Sequence, residues 1–212
     1  MRTNHLLGLG FFISTCFAQG PLDGLTFKGH YREACKTAMQ SLAPKAFPSI
    51  DALLQSLPSD DAMRTRYSGF HNIQTAPAKR VQEEKLVVTV VGQLVAVKFE
   101  DARQPGGDND FHLIVASSGG HFMNMEVSGL PRAGDPEHQF QSVRSQLLSI
   151  LRTVGISPTT RYQKPSNTLL VRITGSLYFD GDHEPETVGP TGARPNTVWE
   201  IHPVQDIQVF NG

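Results

Sequence analysis

The chain has 212 residues, 39% of them hydrophobic, and a formal charge of −1 from 19 basic and 20 acidic side chains. That apolar content suffices for one domain with a real core and an appended segment. With charge so nearly balanced, no basic excess announces a phosphate-tracking surface, so nucleic acid is not a partner that charge favours.

Residues 1–18 read as a secretory leader. Arg2 supplies the positive start, Leu6 to Ile13 a short apolar run, and Cys16 and Ala18 the small residues expected before a cleavage site. The run is too short to span a bilayer, and no other stretch is long and apolar enough to do so. The expected location is therefore outside the cell or in the periplasm. Cleavage would leave Cys35 as the single cysteine. A secreted chain with one thiol has no internal disulfide and must hold together by packing. Cys35 itself sits in a helical pattern and reads as a small buried hydrophobe.

Residues 19–84 read as a helical or wrapping extension. Tyr31, Cys35, Ala38 and Leu42 recur at helical spacing over 30–42. A second short helix is expected after Ser49, from Ile50, Leu53, Leu54 and Leu57, with Pro58 ending it. Ser59 and the two following aspartates can cap a further turn. Residues 66–84 show no clear period.

From Lys85 the texture becomes β, and residues 85–212 read as one barrel domain. Leu86 to Phe99 is rich in valine and interrupted by Gly92, the mark of a sharp bend in a strand. Phe111 to Ala116 and Phe122 to Val127 form a second and third strand around a Ser-Ser-Gly-Gly turn. The clearest helix follows Pro131. Asp135 is its expected N-cap, Pro136 its first residue and Gly155 its stop, with Phe140, Val143, Leu147, Leu151 and Val154 on one stripe. Leu169 to Asp180 is a fourth strand with Gly175 in mid-run. Thr197 to Phe210 is a fifth, in which Pro203 implies an edge or a bulge. Three strands, a helix and two strands, with long bent first and fourth strands, resemble the OB-fold, a five-stranded Greek-key barrel. The expected class is thus mainly β, an OB-like β-β-β-α-β-β barrel with an N-terminal helical extension.

Alternation along the strands sorts the polar groups. Asp110 and His112 share one face, as do Asn124 and Glu126. Glu200 and His202 share theirs with Val198 and Val204, opposite Trp199, Ile201, Ile207 and Val209. Asp180 and His183 fall in the loop after the fourth strand. Asp, Glu and neutral His are ligands for divalent metals and also the usual general acids and bases. Asp110, His112, Glu126, Asp180, His183, Glu200 and His202 are therefore the candidate metal ligands, and Glu126 and His112 the candidate catalytic pair. Their spacing matches no standard metal motif. A plain network of salt bridges, a ligand surface and a catalytic or metal site all remain open readings. Barrels of this kind bind oligomers across their second and third strands, which directs attention to Phe111, Met123, Asn124 and Tyr178 as ligand contacts. Trp199 has core parity. Phosphate-loop, dinucleotide and nucleophile-elbow motifs are lacking.

Three segments carry a further resemblance. They are Asp108 to Leu113 (Asp-Asn-Asp-Phe-His-Leu), Phe179 to His183, and Trp199 to Val204 (Trp-Glu-Ile-His-Pro-Val). They resemble those of a group of uncharacterised bacterial secreted or lipid-anchored proteins. The resemblance implies an OB-like barrel and brings no activity with it. The expected function is a secreted, non-enzymatic binding module for an oligosaccharide, nucleic acid, protein partner or small polar ligand. The alternative is a metal-assisted, nuclease-like hydrolase. A divalent metal is the cofactor these residue types would suit.

Overall fold

The computed structural model describes Leu22, residues 24–131 and residues 137–211. The expected leader and the expected helix start at Asp135 and Pro136 lie outside the described residues.

The expected class is what is found. Five strands close into a mixed barrel: β2 (Val87–Phe99), β3 (Phe111–Ala116), β4 (Phe122–Val127), β5 (Leu170–Phe179) and β6 (Trp199–Val209). The order around the ring is β2-β3-β4-β6-β5, and β5 returns to pair with β2. Neighbours are antiparallel except β4 and β6, which run parallel at Asn124↔Glu200 and Met125↔Ile201. A two-residue strand β1 (Lys45–Ala46) adds in parallel to β2 at Val88 and Thr89; it lies in the proline-flanked stretch where no strand was expected.

Glycines make the ring possible at two points. β2 pairs with β5 through Gln93 and with β3 from Gln93 onward, so it must bend there. A Cβ on Gly92 would sit 2.7 Å from the Ala116 carbonyl oxygen. On β5, a Cβ at Gly175 would lie 2.4 Å from Ile201 Cγ2 and 2.6 Å from the Pro203 carbonyl oxygen. Gly175 stands at the register shifts between β5 and β6, where Leu177 faces Ile201 but Gly175 faces Val204. Pro203 thus occupies a bulge and not an edge, as a residue without an N–H requires in an interior strand. The shifts also change which side chains point inward. Val204 joins Trp199, Ile201 and Ile207 in the core, while Val209 is exposed; Val198, just before the strand, is in the core as well, so simple alternation fails at both ends of the segment.

The barrel interior is filled by Phe111, Leu113, Val115, Met123, Met125, Val127, Leu177 and Phe179 with their neighbours. Helix α4 (Glu137–Thr153) closes one end with buried Phe140, Val143, Leu147 and Leu151, and stops at Gly155, whose φ is 73°. Its Arg144 is fully buried, lies over the Phe111 ring and donates to the carbonyls of Leu22, Asn109 and Ser128.

In the extension, Ser49 and Ser59 cap α2 (Ile50–Ser56) and α3 (Asp60–Arg66) as expected, their hydroxyls accepting from the N–H groups of Ala52 and Ala62. The expected helix over 30–42 shrinks to one turn, α1 (Glu33–Lys36). Arg32, with φ 47°, blocks its start. The guanidinium of Arg32 is drawn to Glu84, at 2.5 and 2.7 Å, and to the carbonyl of Pro77. Tertiary anchoring overrides a weak local period here. The aperiodic stretch 66–84 contains two short 3-10 turns, Ser68–His71 and Gln82–Glu84.

Candidate functional site

The polar residues lie on the outer face of the barrel, across the middle strands. Register puts His112 opposite Glu126 between β3 and β4, Asn124 beside Glu200 between β4 and β6, and Glu200 opposite Tyr178 between β6 and β5. Asp110 precedes β3, and its Oδ1 is tied to the Gly129 N–H at 2.6 Å. Glu126 and His202, both candidate ligands by residue type, lie on one side of the barrel: Glu126 Oε2 is 2.8 Å from His202 Nδ1.

Glu126 stands between two imidazoles, its other oxygen being 3.0 Å from His112 Nε2. His202 is surrounded by three acids. Its Nε2 is 3.2 Å from Asp110 Oδ2 and its Nδ1 3.2 Å from Glu200 Oε1. Asn124 Nδ2 donates to Glu126 Oε1 at 2.6 Å and to Glu200 Oε2 at 2.9 Å, fixing both carboxylates. All of these groups are buried, Asp110 and His202 completely.

Several of these close approaches are not hydrogen bonds. Asp110 Oδ2, Glu126 Oε2 and His202 Nε2 lack an aligned partner despite their short separations, as do His112 Nδ1, Asn124 Oδ1 and the Tyr178 hydroxyl. Buried polar atoms are nearly always paired, and each exception calls for an explanation. Asp110, Glu126 and His202 each offer a ligand atom, and these atoms lie within 4.8 Å of one another, so the group could hold a metal ion.

The electrostatics are those of an acid-rich interior. Burial would raise the Glu126 carboxyl, but His112, His202 and Lys36 hold it well below the usual carboxylate range. Burial works against charge on His202, but Glu126, Asp110 and Glu200 push it well above the ordinary imidazole value. Burial lowers His112, against the pull of Glu126 and Glu100. Acids that share less of this compensation are raised: burial and Glu126 push Glu200 up to about 7, and burial and Asp110 push Asp108 up to about 8.

The extension roofs this face. Lys28 N–H bonds the Asp108 carbonyl and Phe27 N–H that of Leu130. Lys36 Nζ lies 3.3 Å from Asp180 Oδ2, which also takes His183 Nδ1 at 3.0 Å. Arg80 reaches across to the carbonyls of Leu177, Cys35 and His202. Tyr178 is buried under Arg32, Lys36 and Arg80, each within 6 Å of its ring.

The sequence-derived candidates therefore separate. Asp110, His112, Glu126, Glu200 and His202 meet, with Asn124 between them. Asp180 and His183 form an adjoining pair with Lys36. Phe111 and Met123 point into the core, and Tyr178 is covered, so none of the three presents a surface to a ligand in this fold. Lys36, Arg80 and Asp108 were missed. A lysine in a helical turn and an arginine in an aperiodic stretch carry no local mark of burial; Asp108 shares the parity of Asp110 but lies ahead of the strand, where alternation is no guide. Cys35 is buried, as expected of a small hydrophobe.

Two clefts flank the cluster. A wide one is bordered by Lys28, His30, Lys36, Asp108, Asp182 and His183. A narrow one, between the start of β6 and the loop over residues 180–197, reaches Asn124 and Glu200. No helix among the described residues is long and apolar enough to cross a membrane. No model of a known protein family matches the chain, and no curated protein is found similar to it.

Proposed function

We propose that this protein is a non-enzymatic binding module whose barrel face is organised around a buried divalent cation held by Asp110, Glu126 and His202. One observation carries the reading: three residues that can each offer a ligand atom converge in the buried interior, and one atom of each, Asp110 Oδ2, Glu126 Oε2 and His202 Nε2, has no aligned hydrogen-bond partner. One nitrogen and two carboxylate oxygens suit zinc or manganese. Asn124 and His112 would act on the carboxylates from behind, orienting Glu126 as outer partners of metal ligands commonly do. Because His202 holds a proton against these acids, binding would release it.

The burial of the ligands favours binding over hydrolysis. A hydrolytic metal needs an open coordination position that substrate can reach. Here Asp110 and His202 have no exposed surface, and the roof from Phe27 to Lys36 lies across the face. The same roof argues against an oligomer laid over the strands. The ligand of the module is then the ion itself, with a small polar molecule in the wide cleft beside Lys36 and Asp108.

Elemental analysis and thermal melting of the purified protein test this. About one zinc or manganese per chain is expected, with a melting temperature lowered by a chelator and restored by the ion. Asp110→Asn, which preserves shape, should abolish that response while the chain remains folded by circular dichroism. A metal-free protein whose melting is indifferent to both ions would refute the proposal.

A further inference from the structure

The narrow cleft has features that the binding site alone does not explain. It has room at its base for about a single water-sized particle. A sugar, nucleotide or peptide is excluded, and an ion is not. Its walls are apolar at Val188, Pro195, Val198 and Trp199, while Asp180, Glu184, Glu186 and Glu200 supply carboxylates. Low-dielectric walls with charge of one sign focus the field along such a cleft and concentrate counter-ions. The cleft-lining cation, His183, is engaged with Asp180.

The two ends of the cleft are distinctive. At the mouth, Arg64 holds Glu184 at 2.7 Å, but Glu186 is exposed and has no ion-pair partner among the described residues. Its backbone has φ 63°, a left-handed conformation that non-glycine residues seldom adopt, and its N–H is bonded to the Pro195 carbonyl at 2.8 Å. At the floor, Asn124 is 4% exposed. Its Nδ2 is committed to Glu126 and Glu200, and its Oδ1 has no partner. Glu200 in turn touches His202. The floor therefore contacts two of the three candidate ligands directly.

We propose that this cleft is the entry path for the divalent cation, with Glu186 as the collecting charge at the mouth and Asn124 Oδ1 and Glu200 as the oxygen pair that hands the ion to Glu126 and His202. The inference rests on the metal site proposed above and adds a route to it. A cation arriving from solvent meets Glu186, sheds water in a space too small for its hydration shell, and finds amide and carboxylate oxygens in exchange. On the roof side, Lys36 borders the wide cleft and Arg80 reaches the His202 carbonyl, and their positive charge would repel the ion.

The test is stopped-flow uptake of manganese by metal-stripped protein. Trp199 lines the cleft and is the single tryptophan of the chain, so its fluorescence follows the ion on the way in. Glu186→Gln should slow association about threefold and Glu186→Lys about tenfold, within the range of electrostatic steering. Dissociation should slow in parallel and leave the equilibrium affinity, measured by dialysis, within about twofold, because the coordinating groups are untouched. The wild-type association rate should fall with added salt more steeply than that of Glu186→Lys. Unchanged association rates in both variants, with manganese still bound, would overturn the entry path alone. Failure of the wild-type chain to bind manganese would overturn the path and the metal site together.

Discussion

At the scale of single residues, the polar face works by distributing too few positive charges among many acids. Lys36 and the histidines compensate some carboxylates, while burial and neighbouring acids raise Glu200 to about 7 and Asp108 to about 8. His183 offers the cleanest readout because it lies at the margin. Its hydrogen bond to Asp180 outweighs its partial burial and pushes it up to about 9, from an ordinary 6.5. A raised folded-state value means that this contact stabilises fully below about pH 6.5 and loses its effect as pH climbs through 9. The ring is 42% exposed, so screening limits the effect to under about 1 kcal/mol. Urea unfolding at pH 6 and pH 10 should show a loss of stability in the wild type that is reduced in His183→Gln. An equal loss in the two proteins would remove His183 from the account.

At the scale of elements, the strands and α4 were legible because each carries one strong periodicity. Phe111-Leu113-Val115 and Met123-Met125-Val127 alternate without interruption, and the α4 stripe repeats over four turns. The first helix was overread because its period competes with anchoring that only the fold supplies, through Arg32 and Glu84. The β5–β6 pairing was half legible. Pro203 announced an irregularity, but the phase change that carries Val204 inward depends on close approach at Gly175. Gly175→Ala tests that approach. Ile201, the Pro203 carbonyl and Val204 all lie within 3 Å of the added carbon, so the variant should lose about 1–3 kcal/mol in chemical denaturation. A variant as stable as the wild type would mean that the bulge relaxes freely and does not set the register.

At the scale of the molecule, the site is legible only in part, and the reason is topological. Alternation placed Glu126 and His202 on polar faces, but nothing local says that residues 76 apart in sequence lie side by side; the parallel pairing of β4 with β6 does that. The roof was invisible for a similar reason. Lys36 and Arg80 look like solvent-facing cations, and it is the return of the extension over the barrel that buries Lys36 and half-buries Arg80. A face that would be open in a bare barrel is thereby turned into an interior.

The closing seam between β2 and β5 has a consequence for how the chain comes to be folded at all. Val87–Gln93 must wait for Leu170–Ser176, so the ring stays open until most of the polypeptide is available. Pairings this distant are slow to form, because the loop between them must be ordered before the contacts reward it. A chain ending before β5 would leave the first half of β2 and the outer side of β4 as bare hydrogen-bonding edges, of the kind that recruit other chains. Such fragments should sediment as aggregates at concentrations where the full-length protein remains a discrete species, and a fragment that stays monomeric would show that the extension can shield those edges unaided. Closure is thus the step that converts a self-adhesive polypeptide into one that keeps to itself.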